Sequence, residues 1–142
     1  MKAISYHFED ITFSKKTLPT KSSIIRFVVK GNLTINSICF VFCSDRYLQN
    51  LNEAHLSHAD LTDVITFDYS KKKIISGDII ISIERVRENA LIYKASFKEE
   101  LFRVMIHGVL HLMGYNDKTS LEKKKMRNLE NLYLKSIKNG LI

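Results

Sequence analysis

The side chains most suited to chemistry in this chain sit together in residues 107–118, HGVLHLMGYNDK. Two histidines lie four apart in a segment otherwise made of Val, Leu, Met and Gly, so an α-helix projects both imidazoles from one side. Glu100, Arg103 and Val104 fall on the same stripe one to two turns earlier, and Leu101, Phe102, Met105, Ile106, Val109, Leu110, Leu112 and Met113 cover the other sides. The stripe is a polar interruption in a helix that is apolar nearly all round. Burying imidazole rings without partners is costly. One shared metal ion satisfies both, and His at i and i+4 is a common way to bring two nitrogens to about 2 Å from a zinc. The plainer alternative is a pair of core histidines satisfied by hydrogen bonds.

The residues after the helix extend the pattern. Gly114 lets the chain reverse, and Asp117 follows three positions later. The spacing His107-x-x-x-His111-x-x-Gly114-x-x-Asp117 is that of the metzincin motif H-E-x-x-H-x-x-G-x-x-H with two changes. Gly108 stands where the metalloproteases carry the Glu that activates water, so a zinc protease is the weakest reading. Asp117 stands where the third ligand is usually His, and a carboxylate can ligate zinc at a similar distance. The expected centre is one Zn2+ on His107, His111 and Asp117. Three protein ligands leave a position open for water, whose pKa the ion brings near 7. The residues identify no separate general base.

These ligands need a frame. Ser96 and Glu99 read as an S-x-x-E capping box that opens a long helix, FKEELFRVMIHGVLHLM, which Gly114 ends. Thr119 and Glu122 form a second box, before a last helix with Leu121, Met126, Leu129, Leu132 and Tyr133 as its buried stripe. Upstream, residues 3–8, 37–43, 64–69 (VITFDY) and 74–82 (IISGDIIIS) read as strands, with Lys71–Lys73 at the turn between the last two. Ser44 and Asp45 look like N-cap residues for a helix over 46–54. Residues 84–93 read as another helix, with Ile83, Val86 and Ala90 on one face. Ser22 or Ser23 could cap a helix through IIRFVV, although β-branched residues suit a strand equally. Strands early and helices late give an α+β fold: one domain over residues 1–142, a mixed four-stranded sheet packed with about five helices.

Composition narrows the setting. The 142 residues, 45% hydrophobic and 26% charged, suffice for one core. One Pro, five Gly and the absence of repeats argue against linker-rich or low-complexity architecture. No apolar run approaches the roughly 18 residues of a membrane span, and MKAISYHFED lacks the apolar core of a signal peptide. The default is cytoplasmic, with no membrane association. Cys39 and Cys43 lie on one predicted strand about 13 Å apart, too far for a disulfide, so they read as reduced thiols. The net charge of +7, with a pI of about 9.4, favours an anionic partner such as RNA or DNA, or else serves solubility. From Lys118 onward seven basic residues face only Glu122 and Glu130. Lys71, Lys72 and Lys73 form a second cluster.

At the HGVLHLMGYND segment the chain resembles the YbeY family, bacterial endoribonucleases and rRNA maturation factors with the pattern H-G-x-L-H-L-x-G-Y-D-H. The match runs through Tyr115. A second block, L-N followed by T-D-V-L-S-F in the family, is similar to LNEAHLSHADLTDVITF (Leu51–Phe67), and a third, G-D-I with an apolar strand, to SGDIIIS (Ser76–Ser82). The resemblance covers most of the chain. It implies an α+β zinc protein that cleaves single-stranded RNA, acts in 16S rRNA 3′-end processing and ribosome quality control, and works on the small ribosomal subunit. It carries His107 and His111 over as ligands. Two departures bear on it. The family's third His falls on Asp117, with Asn116 in place of the family Asp, and a family Arg five residues after the Leu of L-N falls on Leu56. His58 could replace some of that charge when protonated.

The remaining polar residues have two readings each. Thr62, Asp63 and Asp78 could support a ligand histidine or touch substrate, or could simply organise turns. Lys71–Lys73 and Lys123, Lys124 and Lys125 are candidates for RNA backbone contacts. His55 and His58 read as loop histidines, and His7 as solvent-facing. The leading reading is a metal-dependent endoribonuclease. The rivals are a non-catalytic ribosome-assembly factor with a structural metal and a hydrolase of another substrate.

Overall fold

The computed structural model describes residues 3–56 and 62–140, with the backbone alone for residues 55 and 56. His58 and the side chains of His55 and Leu56 therefore lie outside the described residues. The strands are β1 (Ile4–Phe8), β2 (Thr34–Cys43), β3 (Val64–Asp68) and β4 (Ile74–Ser82). They form one mixed sheet in the order β1-β2-β4-β3. β1, β2 and β4 run parallel, and β3 is antiparallel to β4 through a hairpin that includes Lys71–Lys73. Parallel neighbours require crossover connections. These contain α1 (Lys21–Lys30) between β1 and β2, and α2 (Asp45–Leu56) between β2 and the hairpin. After β4 the chain is helical: α3 (Ile83–Tyr93), α4 (Phe97–Leu112) and α5 (Ser120–Lys138). Among the described residues no helix is long and apolar enough to cross a membrane.

Alternation along the strands separates two faces. One face presents Ile4, Ile38, Phe40, Phe42, Ile75, Ile79 and Ile81 to the main core, where Leu101, Met105, Val109 and Leu110 of α4 meet them. On the opposite face Cys43, Ile65 and Ile80 pack with Leu48 of α2 in a smaller cluster. Helix α4 lies close to the sheet because glycine occupies two contact points. A Cβ on Gly108 would stand 2.7 Å from Ile79 Cγ2, and one on Gly77 would stand 2.6 Å from Leu112 Cδ2. Both distances are shorter than carbon–carbon contact allows.

The local signals resolve as follows. The IIRFVV segment is helical, because Ile24, Phe27 and Val28 bury one helical face against the sheet and tertiary packing overrides a weak β preference. Its cap is Thr20, whose hydroxyl accepts from Ser23 N at 3.3 Å, and not Ser22 or Ser23. Ser23 instead bonds Tyr133 Oη at 2.9 Å in the core. β2 begins earlier than its apolar stretch, at Thr34, with an irregularity between Ile35 and Ser37. On α5 the expected stripe is wrong at two positions. Leu121 and Leu132 are 79% and 53% exposed, and the buried line is Met126, Glu130 and Tyr133. Both cysteines are free thiols, Cys43 buried and Cys39 half-buried.

Candidate metal centre

Helix α4 carries the centre, and its two ends explain the placement. Ser96 caps the first turn by accepting from Glu99 N at 3.0 Å. The other end closes in a Schellman turn: Gly114 N donates to His111 O and Tyr115 N to Leu110 O, both at 3.0 Å. Gly114 adopts φ +100°, which a side chain strongly disfavours. The turn sends the chain back beside the last turn of the helix. Thr119 and Glu122 then start α5 with a complete capping box.

The geometry converges on one point. His107 Nε2 and His111 Nε2 are 3.0 Å apart, and Asp117 Oδ2 lies 3.2 Å from the first and 3.3 Å from the second. Each ring is held from behind. His107 Nδ1 donates to Glu130 Oε2 at 2.6 Å, and His111 Nδ1 donates to the Tyr115 carbonyl at 3.0 Å. A carboxylate and a carbonyl only accept, so both Nδ1 atoms carry the proton. In their neutral form the rings aim two Nε2 lone pairs and a carboxylate oxygen at the same space. Among the described residues no lysine or arginine is paired with Asp117 or the two Nε2 atoms, and two imidazolium rings in contact would repel each other. A cation satisfies all three atoms, so the donor set fits a metal ion. These three residues form the metal-competent group among the described residues.

The electrostatics follow from the brace. Burial pulls the His107 pKa down, but the hydrogen bond and charge of Glu130, with the charges of Asp117 and Asp63, push it above the usual value. Glu130 is buried on α5 and also takes Arg103 Nη1 at 3.2 Å and Arg127 Nη1 at 3.5 Å. In the sequence alone Glu130 registers only as a charge. Its signal was an acidic residue at i+4 from Met126 and three before Tyr133, on the buried side of α5.

The other candidates divide. Asp63 lines the site with His107 and accepts from Asn89 Nδ2 at 3.3 Å, and burial raises its pKa. The carboxylate on His107 Nδ1 is that of Glu130, not Asp63. Thr62 lines the same groove and bonds locally to Val64 O at 3.3 Å. Asp78 is on the sheet face away from α4, where Tyr69 Oη donates to it at 3.2 Å, so it does not join the centre. Lys71, Lys72 and Lys73 are exposed on the hairpin. Lys123 lines a cavity beside His107, Lys125 Nζ sits 5.5 Å from the Tyr115 ring centre, and Lys124 is exposed on α5. His7 is exposed beside Glu9.

Two hollows meet at the ligands. One is a cavity of about 330 Å³ between α3, α4 and α5, with Glu100, Arg103 and Arg127 in its walls. The other is a groove along β3 that reaches Asn52, Thr66, Asp68, His111 and Asn116. Asp63, Val64, His107 and Asp117 line both.

A profile of the family described as Endoribonuclease YbeY matches residues 8–138. The chain is 47% identical over 136 residues to a protein of Amoebophilus asiaticus named Endoribonuclease YbeY, covering 94% of this chain and 92% of that one. It is 47% identical over 135 residues to the protein of the same name from Flavobacterium psychrophilum, covering 93% and 94%. Among solved structures, the solution structure of TM1509 from Thermotoga maritima shares the fold. Its TM-score is 0.69 at 24% identity, over 97% of this chain and 91% of that one.

Proposed function

The chain belongs to the YbeY endoribonuclease family, and from that premise we propose that it is a zinc-dependent endoribonuclease acting on single-stranded RNA. The observation that carries the reading is the convergence of His107 Nε2, His111 Nε2 and Asp117 Oδ2 on one point that opens to a groove. Two imidazoles and one carboxylate are a zinc-type donor set. A divalent ion bound there polarises a phosphoryl oxygen and acidifies water, the two needs of phosphodiester hydrolysis.

The protein's own residues do the rest. Glu130 and the Tyr115 carbonyl fix the ring orientation and tautomer of the two histidines, which turns both Nε2 atoms toward the metal position. Asp117 lowers the net charge of the centre relative to three neutral histidines. Gly108 faces Ile79 rather than the groove, so position 108 supplies no general base and the peptidase route lacks its proton acceptor. Lys123, Arg103 and Arg127 beside the centre, with the lysines of the hairpin and of α5, offer contacts to the RNA backbone whose strength falls as salt rises. Family membership supports ribosomal RNA, the 16S 3′ end in particular, as the substrate, with the small subunit as the platform and the cytoplasm as the place.

The experiment pairs cleavage with metal content. Wild type cuts a single-stranded RNA and carries about one zinc per chain; His111→Ala loses both while its far-ultraviolet dichroism stays native. Cleavage that survives His111→Ala would overturn the catalytic reading. Zinc retained in full by Asp117→Ala would remove Asp117 from the ligand set.

A further inference from the structure

The cavity beside His107 contains a carboxylate that the metal centre does not use. Glu100 is 5% exposed and lines that cavity. Among the described residues its carboxylate has no hydrogen bond or ion pair, unlike Asp63 and Glu130 in the same walls. Burial, reinforced by the charge of Asp63 and opposed by Arg103 and Arg127, pushes this carboxyl up to about 7. A buried acceptor without a donor is costly. The oxygens of Glu100 are not sealed in the core, where Arg85 Nε is the buried side-chain atom left without a partner among the described residues; they open on the cavity, where an arriving molecule can supply N–H groups.

The position of Glu100 sets the kind of contact. It precedes His107 by seven residues on one helix, about 10 Å along the axis. That is too far to exchange a proton with a phosphate held at the histidines. It suits the distance from such a phosphate to the edge of an adjoining base. The other walls suit a base as well. Tyr93, the last residue of α3, is 62% exposed at the rim, and an accessible aromatic ring is the usual stacking surface for an unpaired base. Met126 adds an apolar surface, and Lys123 and Arg127 supply positive charge for the flanking phosphates.

We propose that this cavity is a nucleobase subsite of the RNA cleft, selective for guanine, in which Glu100 accepts from N1–H and N2–H while Tyr93 stacks on the ring. Guanine is the RNA base whose Watson–Crick edge presents two adjacent donors, matching the two oxygens of a carboxylate. Adenine and cytosine set a ring-nitrogen acceptor beside their single amino group, and uracil flanks its one N–H with two carbonyls. Each of those would press a lone pair against the ionised Glu100 carboxylate, the form that prevails above about 7, so the comparison is made at about pH 8. This inference rests on the endoribonuclease reading for its substrate, but its recognition chemistry can be measured separately.

The test titrates the four ribonucleoside 5′-monophosphates into the zinc-loaded protein and follows binding by amide chemical shifts. Guanosine monophosphate binds about tenfold more tightly than the other three, the scale of one good bidentate contact. Glu100→Gln, which keeps the shape, removes that preference, and Tyr93→Ala weakens all four by a similar factor. Melting curves show that both variants are folded. Equal affinities in wild type, or a guanosine preference that persists in Glu100→Gln, would overturn the subsite. If the guanosine preference holds and wild type cuts no RNA, the endoribonuclease reading falls and the subsite stands. Cleavage that depends on His111 without any nucleotide preference in binding removes the subsite alone.

Discussion

Two clusters of carboxylates in this fold have opposite hydrogen-bond balances. At the N-termini of α2 and α3, every acidic group is engaged by the protein. Asp10 takes both the amide of Ser44, at 2.8 Å, and its hydroxyl, at 2.5 Å. Asp45 takes Ser82 Oγ at 2.6 Å and Arg85 Nη2 at 2.9 Å, and Glu84 takes the Asp45 amide at 2.9 Å. Negative charge at helix starts is also favoured by the helix dipole. Around α4 the balance is reversed. Three acceptor atoms meet at His107, His111 and Asp117, and among the described residues Glu100 has no donor. A polar cluster that satisfies itself holds the chain together. One left short of donors or of positive charge is arranged for something the chain does not contain.

The largest expected effect comes from breaking the brace of the unsatisfied cluster. Glu130→Gln removes the ionised acceptor behind His107 and the partner of Arg103. Zinc affinity should fall about 10- to 100-fold, read by competition with a chelator; an unchanged affinity would show that the brace does not act on the metal. Next is the satisfied cluster. Asp45→Ala strands Ser82 and Arg85, whose Nε already lacks a partner. Unfolding by urea should show a loss of about 2 kcal/mol, with RNA cleavage per folded molecule unchanged. A cleavage defect without a stability loss would erase the contrast between the clusters.

The smallest effect is a gain in stability. Glu100 titrates near 7 in the fold against an ordinary 4.5, so the folded state holds the proton more tightly than the unfolded chain. Its contribution to stability is complete below about pH 4, declines as pH rises toward 7, and stays low above that. Gln cannot ionise. Glu100→Gln should therefore be more stable than wild type at pH 8 and equal to it near pH 4. Parallel stability–pH curves would show that Glu100 is not short of donors.

What could be read from the sequence was local. The i, i+4 histidines, the Ser96 and Thr119 caps and the Gly114 turn are contained within single elements, and Asp117 follows from the turn by spacing. The brace could not be read in the same way, because Glu130 reaches His107 only when α5 packs on α4, across 23 residues of sequence. The same packing exposes Leu121 and Leu132, which composition alone marks as core. Asp78 shows a missed inference. Strand alternation puts it on the face opposite Gly77, hence opposite α4, and its place in a family-like block gave it a functional weight that its side of the sheet does not support. For IIRFVV, the burial of one helical face decided what propensity left undecided.

The closeness of Gly108 to Ile79 has a consequence for the history open to this scaffold. Converting the centre to peptide hydrolysis would call for a glutamate at position 108, one residue after the first ligand. Any side chain there meets Ile79, and overpacking of this kind typically costs about 1–3 kcal/mol. Ile79 would have to shrink first, which by itself opens a void in the core. A glutamate at position 108 and a smaller residue at position 79 each lower stability when made alone, so the depth at which this helix rests on this strand ties the two positions together.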